Sequence, residues 1–73
     1  MKLEDFNKLS FDDKLFKVVD DGTFLENFVT PEIRINLYSV YNFYVELVYN
    51  GEENQIEEVR SFNHGAHLDK YTR

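Results

Sequence analysis

The chain has 73 residues, seven of them Phe and five Tyr, with no Cys. One small domain held by aromatic packing is expected, since neither a disulfide framework nor a cysteine-based zinc site is open to it. The formal charge of −6 comes from fourteen acids against eight bases, with no basic stripe, and this argues against nucleic acid or an anionic membrane as a partner.

The opening MKLEDF is charged and lacks an apolar core, so it does not read as a signal peptide. The longest apolar run, Phe43–Tyr49, is broken by Glu46 and is too short to span a bilayer. A cytoplasmic location is expected.

Lys2–Leu9 suits a short helix with Leu3 and Phe6 on one apolar edge. Ser10 reads as the N-cap of a second helix, Ser10–Asp21, with Asp13 at the capping-box position and Asp12 in the first turn, where the helix dipole favours negative charge. Phe11, Leu15, Val18 and Val19 recur at helical spacing and Phe16 widens the stripe. Gly22 is placed to end the helix as a left-handed residue.

Thr23–Val29 fits two forms. Thr23 and Glu26 have capping-box spacing, and Phe24 and Phe28 would pair on a helix. A strand is favoured because Gly22 stops the preceding helix and Pro31 imposes extended geometry on Thr30. Pro31 is then tolerated as the first residue of the next strand.

Glu32–Tyr49 holds two runs of alternating character, which predict two half-buried strands. Ile33, Ile35 and Leu37 share one face of the first, and Phe43, Val45, Leu47 and Tyr49 one face of the second. Keeping both odd-numbered faces on one side of the sheet requires a three-residue loop, Val40–Tyr41–Asn42, with Asn42 left-handed. That register sets Tyr38 opposite Tyr44, Leu37 opposite Val45 and Ile35 opposite Leu47.

Asn50–Asn54 reads as a turn. Gln55–Phe62 is expected as an edge strand with a bulge near Glu57–Glu58 that brings Ile56 and Val59 to one face, the competing form being a short helix over Glu52–Arg60. The expected architecture is α+β: two N-terminal helices packed on one face of a three- or four-stranded antiparallel meander. Residues 1–63 form the single domain, and 64–73 a loosely ordered C-terminal tail anchored by Leu68 and Tyr71.

The helical L-x-x-F-N-x-L-S opening (Leu3–Ser10), the D-G-T-F-L junction (Asp21–Leu25), the L-Y-x-x-x-x-F-Y-V-E hairpin (Leu37–Glu46) and the closing V-R-S-F strand (Val59–Phe62) resemble short uncharacterised bacterial proteins that join N-terminal helices to a tyrosine-rich antiparallel sheet. The resemblance implies the fold and carries over no activity and no functional residue.

Chemistry-bearing residue types gather in one place. His64, His67 and Asp69 have ligand character, but Gly65 disfavours the helix that would align them, and no fourth ligand lies nearby. Ser61, His64 and Asp69 are the residue types of a hydrolytic triad without a nucleophile elbow or oxyanion loop. The paired acids Asp12/Asp13, Asp20/Asp21, Glu52/Glu53 and Glu57/Glu58 diverge on either a strand or a helix and read as solvated charge. No catalytic residue, cofactor site or metal site is assigned.

If the helices cover the Ile33, Leu37, Phe43 and Leu47 face, the other face carries Tyr38, Tyr44 and Val48 beside Arg34 and Glu46. These five are the candidate interaction face, since tyrosine is enriched at binding surfaces. The function expected is a non-enzymatic protein-interaction module that uses this tyrosine-bearing face or an exposed strand edge to bind a protein or a second copy of itself. The alternative is a small acidic inhibitor or immunity-type protein whose field steers a basic partner. Excess zinc should leave the thermal midpoint unchanged. A stoichiometric rise that disappears when His64 and His67 are changed would establish a metal site instead.

Overall fold

A computed structural model describes residues 1–52 and 55–63. In chain order these form helices α1 (Leu3–Asn7) and α2 (Phe11–Asp21) and strands β1 (Gly22–Val29), β2 (Ile33–Val40), β3 (Phe43–Asn50) and β4 (Ile56–Asn63). The strands make one antiparallel sheet in the order β1-β2-β3-β4, so each pairs with its neighbour in sequence. This is the α+β meander expected. None of the described helices is long and apolar enough to cross a membrane.

α1 is a little over one turn, shorter than its apolar edge suggested, with the Lys2 amide donating to Asp5 Oδ2 at 3.3 Å. α2 starts where Ser10 places it: the Asp13 amide donates to Ser10 Oγ at 3.2 Å. Its far end differs from expectation. Gly22 is extended (φ −86°, ψ 151°), not left-handed, and the helix passes straight into β1 while the Gly22 amide donates to the Val18 carbonyl. Glycine is needed there for closeness: a Cβ would lie 2.4 Å from the Val18 carbonyl oxygen and 3.3 Å from Val40 Cγ2.

Phe6 and Val18, both buried, join Val40, Phe43, Val45 and Leu47 in one core, flanked by half-buried Leu3, Leu9, Leu15, Tyr38, Tyr49, Ile56 and Val59. The Phe6 and Phe43 rings stand 5.3 Å apart, tilted by 54°, and the Lys14 ammonium sits 5.9 Å over the Phe6 ring. The Ser61 hydroxyl donates to the Asn7 side-chain oxygen, which ties α1 to β4. Of the predicted α2 stripe, only Val18 is buried and Leu15 half-buried; Phe11, Phe16 and Val19 are exposed.

Thr23–Val29 is the expected strand, with an irregularity in its pairing to β2 between Phe24 and Glu26. Pro31 lies in the turn before β2 rather than in the strand. There Thr30 Oγ1 accepts from the Glu32 and Ile33 amides at 3.3 and 3.1 Å. β4 carries the expected bulge: its register to β3 shifts between Glu58 and Ile56, which brings Ile56 and Val59 to the same face.

The central hairpin is where the expected register fails. Val40 pairs with Phe43, so the loop is the two residues Tyr41–Asn42, and positive φ falls on Tyr41 (54°) rather than Asn42. Tyr38 pairs with Val45, Leu37 with Glu46 and Ile35 with Val48. A three-residue loop follows only for a sheet with one apolar face. Both faces here are buried: Val40, Phe43, Val45 and Leu47 under the helices, Ile35, Leu37 and Val48 on the other side. The odd-numbered apolar residues of β2 and β3 therefore belong to different layers. The tail expected over 64–73, with Leu68 and Tyr71, lies outside the described residues.

Gly22→Ala should lower stability by about 1–3 kcal/mol, because the added methyl meets a backbone carbonyl and not a movable side-chain tip. Urea denaturation measures this; unchanged stability would show that the α2–β1 junction relaxes without cost.

Candidate functional site

The five residues expected to form one interaction face are divided between the two sides of the sheet. Arg34 and Tyr38 share the helix-covered side, because their β3 partners there are Tyr49 and Val45. The Arg34 guanidinium stacks 5.5 Å over the Tyr49 ring. Tyr38 is half-buried with Phe24 edge-on at 5.7 Å, and burial pushes its hydroxyl pKa upward. Tyr44, Glu46 and Val48 point to the opposite side, where Glu46 and Val48 are buried and the Tyr44 ring lies 5.8 Å from that of Phe62. No continuous tyrosine strip results.

Ser61 is engaged by Asn7 on the helix side. His64, His67 and Asp69 lie outside the described residues, and among the described residues no group of three His, Cys, Asp or Glu is placed to hold a metal ion.

A different surface emerges at the margin of the fold. Of eight large hydrophobic side chains exposed among the described residues, six belong to α2 and β1: Phe11, Phe16, Val19, Phe24, Leu25 and Val29. Phe16 is 67% and Val19 78% exposed, and with Asp12 and Leu15 they line a shallow depression along the outer side of α2. β1 follows α2 without a loop and forms an edge of the sheet. Its outer backbone groups therefore face away from the other described strands. The sequence held a signal for this. Five apolar positions in an eleven-residue helix make a stripe wider than one layer of contact covers, and the surplus faces outward.

A polar clamp fixes this margin to the central hairpin. The Tyr41 hydroxyl donates to Asp21 Oδ2 at 2.6 Å, and Lys17 Nζ reaches the same oxygen at 3.4 Å. The last turn of α2 is thereby joined to the β2–β3 loop. The Tyr41 hydrogen bond, then Lys17, hold the Asp21 carboxyl below its ordinary range; the same contacts raise the Tyr41 phenol and the Lys17 ammonium. Lys17 also offsets Asp21 at the helix end, where the dipole disfavours an acid.

No family model, curated protein or solved structure matches the chain.

The clamp has a pH signature. A carboxyl depressed by folding adds stability above its ordinary pKa, and that contribution is lost as pH falls through the folded value. A phenol raised by folding adds stability below its ordinary pKa and loses it as pH rises through the folded value. The stability difference between the wild type and Tyr41→Phe should therefore be level from roughly pH 5 to 9 and should close at both extremes. Thermal midpoints across that range and beyond it test this. A difference that persists undiminished in strong acid would assign the effect of Tyr41 to packing on Phe43 instead, whose ring lies 6.3 Å away.

Proposed function

We propose that this protein is a non-enzymatic interaction module whose binding surface is the outer side of α2 together with the free edge of β1. The observation that carries this is the concentration of exposed apolar side chains there, six of the eight among the described residues. A large apolar side chain left in water forgoes about 1.5–3 kcal/mol of burial, a heavy loss for a domain this small.

The two sheet edges support the same choice. β4 carries Glu57, Glu58 and Arg60, charges of the kind that discourage edge pairing, and β1 carries only Glu26. An extended segment adding to β1 would gain main-chain hydrogen bonds there and set its apolar side chains near Phe24 and Leu25. Asp12 and Asp20 lie beside Phe16 within a chain of net charge −6, which favours an apolar segment with basic flanks. The alternative, a small acidic inhibitor or immunity-type protein, draws on the charge and not on the apolar surface.

A random peptide display library panned against the full chain separates the two. Selected peptides should have an apolar centre and Lys or Arg flanks. They should lose at least about tenfold in affinity to the Phe16→Ser/Val19→Ser variant, whose stability should stay within roughly 1 kcal/mol of wild type. Binding that falls with salt but ignores Phe16 and Val19 would select the inhibitor alternative. Equal binding to variant and wild type at all salt concentrations would remove both.

A further inference from the structure

Of the seven asparagines in the chain, only Asn50 is followed by glycine. That pair is chemically fragile, because glycine has no side chain to hinder its own amide nitrogen. Once it loses its proton, this nitrogen attacks the carbonyl carbon of the asparagine side chain, ammonia leaves and a succinimide ring forms. Water then opens the ring at either carbonyl, giving aspartate or isoaspartate. In isoaspartate the main chain runs through the former side chain and is longer by one carbon. The balance is a side-chain amide and water in, a carboxylate and ammonium out.

At the end of β3 the fold engages each group that this reaction would use. The Gly51 amide, which would be the nucleophile, donates to the Glu32 carbonyl at 3.1 Å, and this shields its proton from base. Asn50 Nδ2 donates to Glu57 Oε1 at 2.9 Å, and Asn50 Oδ1 accepts from the Glu52 amide at 2.7 Å. The Asn50 amide donates to the Gln55 carbonyl at 2.8 Å, so the backbone of the residue is held as well. Turning the side-chain amide toward the Gly51 nitrogen gives up the bonds at its two ends. Glycine is required at this point for closeness: a Cβ on Gly51 would lie 2.7 Å from the Glu32 carbonyl oxygen. The approach that demands glycine, and so creates the reactive pair, also supplies the acceptor that guards it.

We propose that Asn50–Gly51 is a deamidation site, silent while these bonds hold and reactive when they open, and that the reaction then prevents them from re-forming. The product carboxylate has no proton to donate to Glu57, so two like charges meet where an amide and a carboxylate had bonded. It adds one negative charge to a chain already at −6. In the isoaspartate form the extra carbon also falls between the residue 50 amide and the Gly51 amide. Their bonds to Gln55 and Glu32 are spaced for the ordinary main chain and lose that spacing. Asn50 pairs with Ile33 at the start of β2, so the change marks the end of the central hairpin opposite the Tyr41–Asn42 loop. Each conversion is a one-way record that this end has opened.

The test incubates the full chain in mildly alkaline buffer, native and in denaturant, and follows conversion at Asn50 by mass-spectrometric peptide mapping. The native protein should convert at least about tenfold more slowly than the denatured one. Glu57→Ala should speed conversion in the native protein and leave the rate in denaturant unchanged. Asn50→Asp, which installs one product directly, should lower the thermal midpoint by roughly 4–8 °C. Adding Glu57→Gln to it should restore much of that loss, because the new amide donates where the carboxylate repelled. Equal rates in native and denatured protein would overturn the guarding role of the fold, and no conversion in denaturant would overturn the site itself. An Asn50→Asp midpoint equal to that of the wild type would overturn the one-way step.

Discussion

Because Tyr41 and Asn42 alone close the β2–β3 hairpin, paired residues sum to an odd number, and odd positions of β2 share a face with even positions of β3. Two strands that are each apolar on alternate residues then send their apolar sets to opposite sides of the sheet. β3 gives Phe43, Val45 and Leu47 to the helices, while β2 gives Ile35 and Leu37 to the other side. An antiparallel sheet usually keeps one face wet. In the central hairpin of this one both faces carry buried apolar residues, and for so short a chain that raises the apolar area available to offset chain entropy.

The helices follow from that constraint. They cover one layer only, so a short element suffices: α1 contributes Phe6 and α2 contributes Val18 with Leu15 beside it. α2 must come close to Val40 to do so, and Gly22 permits the approach by lacking a Cβ where the Val18 carbonyl and Val40 converge. Rolling Val18 inward turns Phe16 and Val19 outward, since a residue two before or one after it on a helix faces well away from it. The exposed apolar side chains of α2 are thus a geometric consequence of how the helix serves the core.

Much of the fold was legible in local chemistry. Ser10 fixed the start of α2, Gly22 its end, and the spacing of Ile56 and Val59 a bulged strand; each depends on a few adjacent residues. The hairpin register was not legible, because periodicity reports that alternate residues are apolar and is silent on which layer each strand's apolar set will join. An asparagine beside the loop invited the left-handed conformation that Tyr41 adopts instead. The candidate site inherited this error. Arg34 and Tyr38 were grouped with Tyr44, Glu46 and Val48 only through the assumed parity, and one residue less in the loop separates them by the thickness of the sheet. The outward set on α2 left a trace in the breadth of its stripe, but sequence alone does not say which side of a wide stripe a helix buries.

With both faces of the central hairpin buried, the proposed partner would meet the periphery of the fold. The periphery is not uniform: β4 closes one edge with three charges, and the α2–β1 margin leaves Phe16, Val19, Phe24 and Leu25 in water. Such a surface binds well only if it is held in place, because ordering it on contact would subtract from affinity. The Tyr41–Asp21–Lys17 clamp supplies the hold. It is anchored in the loop that fixes the hairpin register and ends on the last turn of α2. The positive φ at Tyr41 and the direction in which Phe16 and Val19 face are thereby linked through one carboxylate. The loop that directs the apolar residues of the sheet inward also steadies the helix whose apolar residues remain outside.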